Sequence, residues 1–150
     1  MTSTEPSSDT ASTALSAALS SEHAVIYGYG IVSAHCSPDV NKLVTSALNQ
    51  HRQRRDQVIA MLSSRSVTPP EAAAGYQLPM PVSNATDAAR LAVRMENDTE
   101  VAWRAVVEQA QDATDRRFGV TALTQSAVLA ARWKQVLGDW PITTAFPGDE

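Results

Sequence analysis

Glu22 and His23 stand in the middle of an apolar run, SSEHAVIYGYGIV at residues 20–32. A carboxylate inside an apolar run is a surface residue, half of an ion pair with a basic side chain, or a metal ligand. Three other segments place polar groups among apolar ones: His51 with Arg54, Glu96, and Gln125. Two glutamates, one imidazole and one amide are a ligand set for a single iron, manganese or zinc ion. The same glutamates beside a guanidinium and a protonated imidazole would cancel charge without a metal. The sequence names no reaction, so catalytic residues stay unassigned.

These residues share one level only if helices carry them. Helix 1 is expected from Ser12 to Cys36, with the stripe Leu15, Leu19, Glu22, Ile26, Tyr29, Ser33 in steps of four and three. Gly28 and Gly30 weaken it by roughly 1 kcal/mol each relative to alanine, which close helix packing or a slight bend explains. Ser37-Pro38-Asp39 ends this helix and starts the next, which runs to about Ser63 on Val40, Val44, Ala47, His51, Arg54, Val58 and Met61. So short a link makes an antiparallel hairpin.

The segment RSVTPPEAAAGYQLPMPVS has four prolines and no sustained period, so residues 64–84 are expected to be a loop. About twenty extended residues reach ~66 Å, more than the ~39 Å length of such a helix, so the loop can cross the whole bundle. Asn84-x-x-Asp87 and Asp112-x-x-Asp115 start helices 3 and 4. Helix 3 carries Ala89, Ala92, Glu96, Thr99 and Trp103; helix 4 carries Phe118, Ala122, Gln125, Leu129, Trp133 and Val136 and ends at Gly138. The polar positions fall ~15–24 Å along each helix, hence at one layer. The expected organisation is a disordered tail over 1–11, an all-α four-helix domain over 12–140, and a C-terminal tail over 141–150.

Composition agrees. The chain has 150 residues, 43% of them hydrophobic, enough for one domain with its own core. A net charge of −4 argues against nucleic acid as a main partner. The single Cys36 excludes an internal disulfide and reads as a buried, inert thiol. No apolar run is long enough to span a bilayer, and the polar first residues lack a signal peptide's core, so a cytoplasmic location without a membrane partner is expected.

The pattern resembles the ferritin-like superfamily. More closely, it resembles an actinobacterial ferritin-like family whose first helix carries EHA-x-x-Y-x-Y-G, like Glu22-His23-Ala24 with Tyr27, Tyr29 and Gly30. The resemblance covers about residues 12–138 and implies two antiparallel hairpins joined by the long crossover. Di-iron members place one glutamate on each of two helices and Glu-x-x-His on each of the other two. Glu22 and Glu96 match the lone glutamates. The second helix instead reads His51-x-x-Arg54, the fourth offers Gln125, and no Glu-x-x-His occurs in the chain.

The expectation is therefore a degenerate di-metal site: a polar core layer of Glu22, His51, Arg54, Glu96 and Gln125, without cofactor, in a homodimer with a non-catalytic binding or scaffolding role. Arg54 is expected to fork between the two glutamates, with Arg55 as the alternative inward residue. Two other readings are a reduced metal site or oxidoreductase, with iron or manganese on Glu22, His51 and Glu96, and a small-ligand pocket in the bundle interior lined by Tyr29 and Trp103. Simple core packing competes for both aromatics and for Trp133. His23 is expected at a helix boundary or dimer surface, His35 in solvent, Tyr27 in a groove or against a partner, and Trp140 and Phe146 on a second subunit.

Overall fold

The structure is a computed structural model that describes residues 6–149, with side chains described from Thr10 onward. Four helices are arranged as expected: α1 (Pro6–His35), α2 (Asn41–Ser64), α3 (Ala85–Gln109) and α4 (Ala113–Leu137). No strand occurs among the described residues, and no helix there is long and apolar enough to cross a membrane. Helix α1 starts at Pro6, ahead of Ser12, and Ala11 is already buried, so residues 6–11 of the expected tail are helical. The rest of that tail, residues 1–5, lies outside the described residues.

Local chemistry sets the boundaries. Asn84 accepts the Asp87 amide at 2.8 Å, and Asp112 accepts that of Asp115 at 2.8 Å, each satisfying a free N–H at a helix start. Gly138 takes φ +67°, and Asp139 N–H closes onto Lys134 O at 3.0 Å, which ends α4. Between α1 and α2, Pro38–Val40 form one 3-10 turn, so α2 begins at Asn41.

Helix α1 packs against α2 and α3, and α3 packs against α4. At Gly28 an added Cβ would lie 2.0 Å from Met95 Sδ, so the Met95 side chain of α3 packs directly on the Gly28 backbone and a larger residue there has to displace it. Gly30 meets nothing within 4 Å and has no such role. The crossover lies along the outer face of α1. His23 Nε2 bonds to Pro70 O at 3.0 Å, and the Tyr27 and Tyr76 rings lie 5.4 Å apart. Both α1 residues therefore face this chain's own loop; sequence alone pointed His23 to a helix boundary or dimer surface and Tyr27 to a groove or a partner.

The apolar core divides into two clusters. One gathers Val25, Val32, Ala47, Leu91, Ala92, Leu129 and Trp133. The other gathers Leu15, Ala18, Leu19, Val58, Leu62, Val106 and Ala122. Cys36 and His35 are half-buried at the end of α1; the thiol contacts Asn41 Oδ1 at 3.6 Å, and His35 Nδ1 bonds to Ile31 O at 3.0 Å. Neither the buried thiol nor the solvated imidazole expected from sequence is found. Val136, placed in the α4 stripe by spacing, is exposed. The C-terminal segment folds back on α3, where Gly148 sits against the Glu100 carbonyl and Asp149 pairs with Arg104 at 3.3 Å. Trp140 and Phe146 stay exposed.

Candidate functional site

Between the two apolar clusters each helix contributes a polar residue from its inward face. Glu22 follows Leu19 on α1, His51 and Arg54 fall between Ala47 and Val58 on α2, Glu96 follows Ala92 on α3, and Ser126 lies between Ala122 and Leu129 on α4. Steps of three and four bring these positions to the stripe that buries their neighbours. Glu22, His51, Glu96 and Ser126 are fully buried, and Arg54 is 3% exposed.

His51 is the bridge. Its Nδ1 lies 2.5 Å from Glu22 Oε2, and its Nε2 lies 2.8 Å from Glu96 Oε1. A neutral ring has one N–H and would set a lone pair against one carboxylate; an imidazolium satisfies both. Burial disfavours that charge, but the Glu96 charge and the hydrogen bonds to both glutamates outweigh it and push the His51 pKa up to about 9. Burial likewise raises Glu22, yet His51 and Arg54 hold its carboxyl below the usual range.

Arg54 does not fork between the glutamates. Its Nη1 donates to Glu22 Oε1 at 2.8 Å and to Ser126 Oγ at 3.2 Å, and its Nη2 donates to Gln125 Oε1 at 2.8 Å. The imidazole, lying between the two carboxylates, leaves Glu22 as the only glutamate Arg54 bonds. Arg55 pairs with Asp56 at the surface, so Arg54 is the inward residue. Gln125 sits half-buried at the rim, and its neighbour Ser126 supplies the core group of α4. Both fit the helical period; the longer amide reaches the rim while the small hydroxyl fits inside.

Three aromatic donors complete the layer. Trp103 Nε1 donates to Glu22 Oε1 at 2.7 Å, Tyr29 OH to Glu96 Oε1 at 2.6 Å, and Trp133 Nε1 to Tyr29 OH at 3.0 Å. Burial, then the Glu96 charge, raises the Tyr29 pKa well above its usual value, so Tyr29 remains a donor. Tyr29 and Trp103, both fully buried, therefore reach the layer as hydrogen-bond donors. Spacing alone does not show this, because an indole has the periodic signature of any large apolar residue. The Arg54 guanidinium carbon lies 5.9 Å from the Trp103 ring centroid, a cation–π distance.

Two glutamates, an imidazolium and a guanidinium sum to zero charge. The arrangement does not fit a di-metal centre, which draws four carboxylates and two histidines around one point. It does not fit a single ion on Glu22, His51 and Glu96 either, because the two ring nitrogens point to opposite sides, each at its own carboxylate. Among the described residues no group of three or more His, Cys, Asp or Glu is placed to hold a metal. Glu96 Oε2 is buried without a hydrogen-bond partner among the described residues, a single donor atom.

Comparisons with known proteins fit this architecture. The chain is 67% identical to a conserved hypothetical protein from Mycobacterium tuberculosis of known crystal structure, over 94% of this chain and 99% of that one, with a TM-score of 0.87. It also matches a ferritin-like, diiron-carboxylate protein from Bacillus anthracis at 13% identity and a TM-score of 0.73, over 89% of this chain and 99% of that one. That likeness establishes a ferritin-like fold. Among curated proteins no significant sequence match is found. Residues 14–150 match the model of a family described as a domain of unknown function, DUF4439, and the chain belongs to that family.

Proposed function

We propose that the chain is a non-catalytic ferritin-like protein with a binding or scaffolding role, in which a self-neutralised polar network stands where the fold elsewhere houses two metals. The single observation that carries this reading is His51 lying between Glu22 and Glu96 while Arg54 holds the other oxygen of Glu22. Two basic groups already supply the positive charge a divalent ion would bring. Replacing them with a metal requires deprotonating a histidine whose pKa is about 9 and moving a buried guanidinium.

Metal analysis of untagged protein, before and after anaerobic addition of Fe(II) and Mn(II), tests the reading. The expected result is far less than one ion per chain and an unchanged Tm. Stoichiometric binding at micromolar metal would overturn it in favour of a reduced metal centre.

The same reading makes the protein a cytoplasmic homodimer. Exposed Val120, Val128 and Val136 on α4, with Trp140 and Phe146 beyond it, support the dimer as apolar surface a second copy would cover. Light scattering at tens of micromolar is expected to give twice the chain mass; a monomer there would remove the dimer.

A further inference from the structure

Helices α2 and α4 do not close against each other as α3 and α4 do. Their facing surfaces explain the gap. On α2 the seam is lined by Gln50, Gln53 and Gln57, and on α4 by Arg117, Thr121 and Gln125. The α2 set recurs at steps of three and four and the α4 set at steps of four, so each borders the seam as one helix face with polar outer residues. The gap is a cleft of about 450 Å³, within the range of small-molecule sites. Phe118 and Ala122 give it an apolar patch, and buried Arg54 forms part of its floor. A shallower hollow continues it along the seam, sharing Gln50, Gln53 and Gln125 and reaching Lys42.

We infer that this seam binds a small organic anion, a carboxylate or phosphate ester carrying a ring or short apolar body. Neither hollow is lined by any carboxylate, while Arg117 and Lys42 bring positive charge that no described ion pair neutralises. The anionic end lies toward Arg117, and the apolar body lies on Phe118. Gln50 Oε1 is shielded from water and has no hydrogen-bond partner among the described residues. Gln50 lines both hollows, so a ligand that carries a hydroxyl or N–H donor is matched to it. An unpaired buried acceptor is unfavourable, and a ligand donor there removes that penalty. The inference specifies the binding role proposed above, but its test is separate: metal uptake would overturn the network reading, whereas ligand titration reads the seam alone.

The test is NMR titration of the ¹⁵N-labelled full chain with 3-hydroxybenzoate, with phenyl phosphate, and with neutral benzamide. The expected result is saturable shifts at the side-chain amides of Gln50, Gln53, Gln57 and Gln125 with at least one anion, and binding at least tenfold weaker for benzamide. Arg117→Glu, at an exposed position, is expected to weaken anion binding at least tenfold with an unchanged melting curve. The stronger anion distinguishes carboxylate from phosphate recognition. No saturation with either anion, equal binding of benzamide, or shifts away from the seam would overturn the inference. So would seam shifts that follow protein dilution, because they would assign the seam to a second copy.

Discussion

On either side of Glu22 the four helices meet through leucine, valine, alanine and tryptophan; at its level they meet through charge. The two kinds of layer hold the bundle differently. An apolar layer gains free energy from area removed from water, a force without direction that pairs no particular atoms. In the polar layer each donor has a particular acceptor: His51 reaches two carboxylates from its two nitrogens, and Arg54 reaches Glu22, Ser126 and Gln125. A slip of one residue on α1, α2 or α3 strands a buried charge, and one on α4 takes Ser126 and Gln125 away from Arg54. The apolar layers supply most of the burial, and the polar layer fixes which residues face which.

The largest expected effect comes from breaking the polar layer. Arg54→Ala leaves Glu22 with one cation fewer and is expected to lower unfolding free energy by about 3–5 kcal/mol, measured by chemical denaturation. Adding Glu22→Gln should recover part of that loss in a double-mutant cycle. Simple additivity would show that the pair is not coupled. Leu19→Ala in an apolar cluster should lose about 3 kcal/mol by leaving a cavity.

The two layers separate more sharply with pH. His51 has a folded pKa of about 9 against an unfolded 6.5, so its contribution is whole below pH 6.5 and lost as pH rises through 9. Glu22 is lowered from 4.5, so its contribution is whole above that pH and lost as pH falls through its depressed folded value. The effect of Leu19→Ala should stay constant from pH 5 to 10, whereas that of His51→Gln should shrink as pH rises through 9. Equal pH dependence in the two variants would contradict the assigned protonation. The smallest effect should come from the surface: Arg94→Ala, which removes the exposed pair with Asp98, should change stability by less than about 0.5 kcal/mol.

The architecture was legible because its signals are local. The stripes, the caps at Asn84 and Asp112, the stop at Gly138 and the proline-rich crossover each act within a few residues. The level of the polar layer followed from counting residues along each helix, which placed Glu22, His51, Arg54 and Glu96 together. The pairings within it were less accessible. Periodicity gives a residue's face and not its rotamer, so it did not reveal that imidazole rather than guanidinium bridges the glutamates. It did not separate Ser126 from Gln125 at adjacent positions, or show that Trp103 and Trp133 point their N–H groups at polar atoms. The open α2–α4 seam was hidden for another reason: glutamines on an outer face look alike whether they border a cleft or open water.

In the proposed reading a protonated histidine and an arginine, rather than metal ions, balance Glu22 and Glu96. The ¹⁵N and ¹H resonances of the His51 ring, followed from pH 5 to 10 with and without added Mn(II), test it most directly. Both ring nitrogens should carry protons at pH 7, deprotonation should be centred near 9, and Mn(II) should leave the ring signals sharp. A neutral His51 at pH 7, or signals broadened by stoichiometric Mn(II), would contradict it.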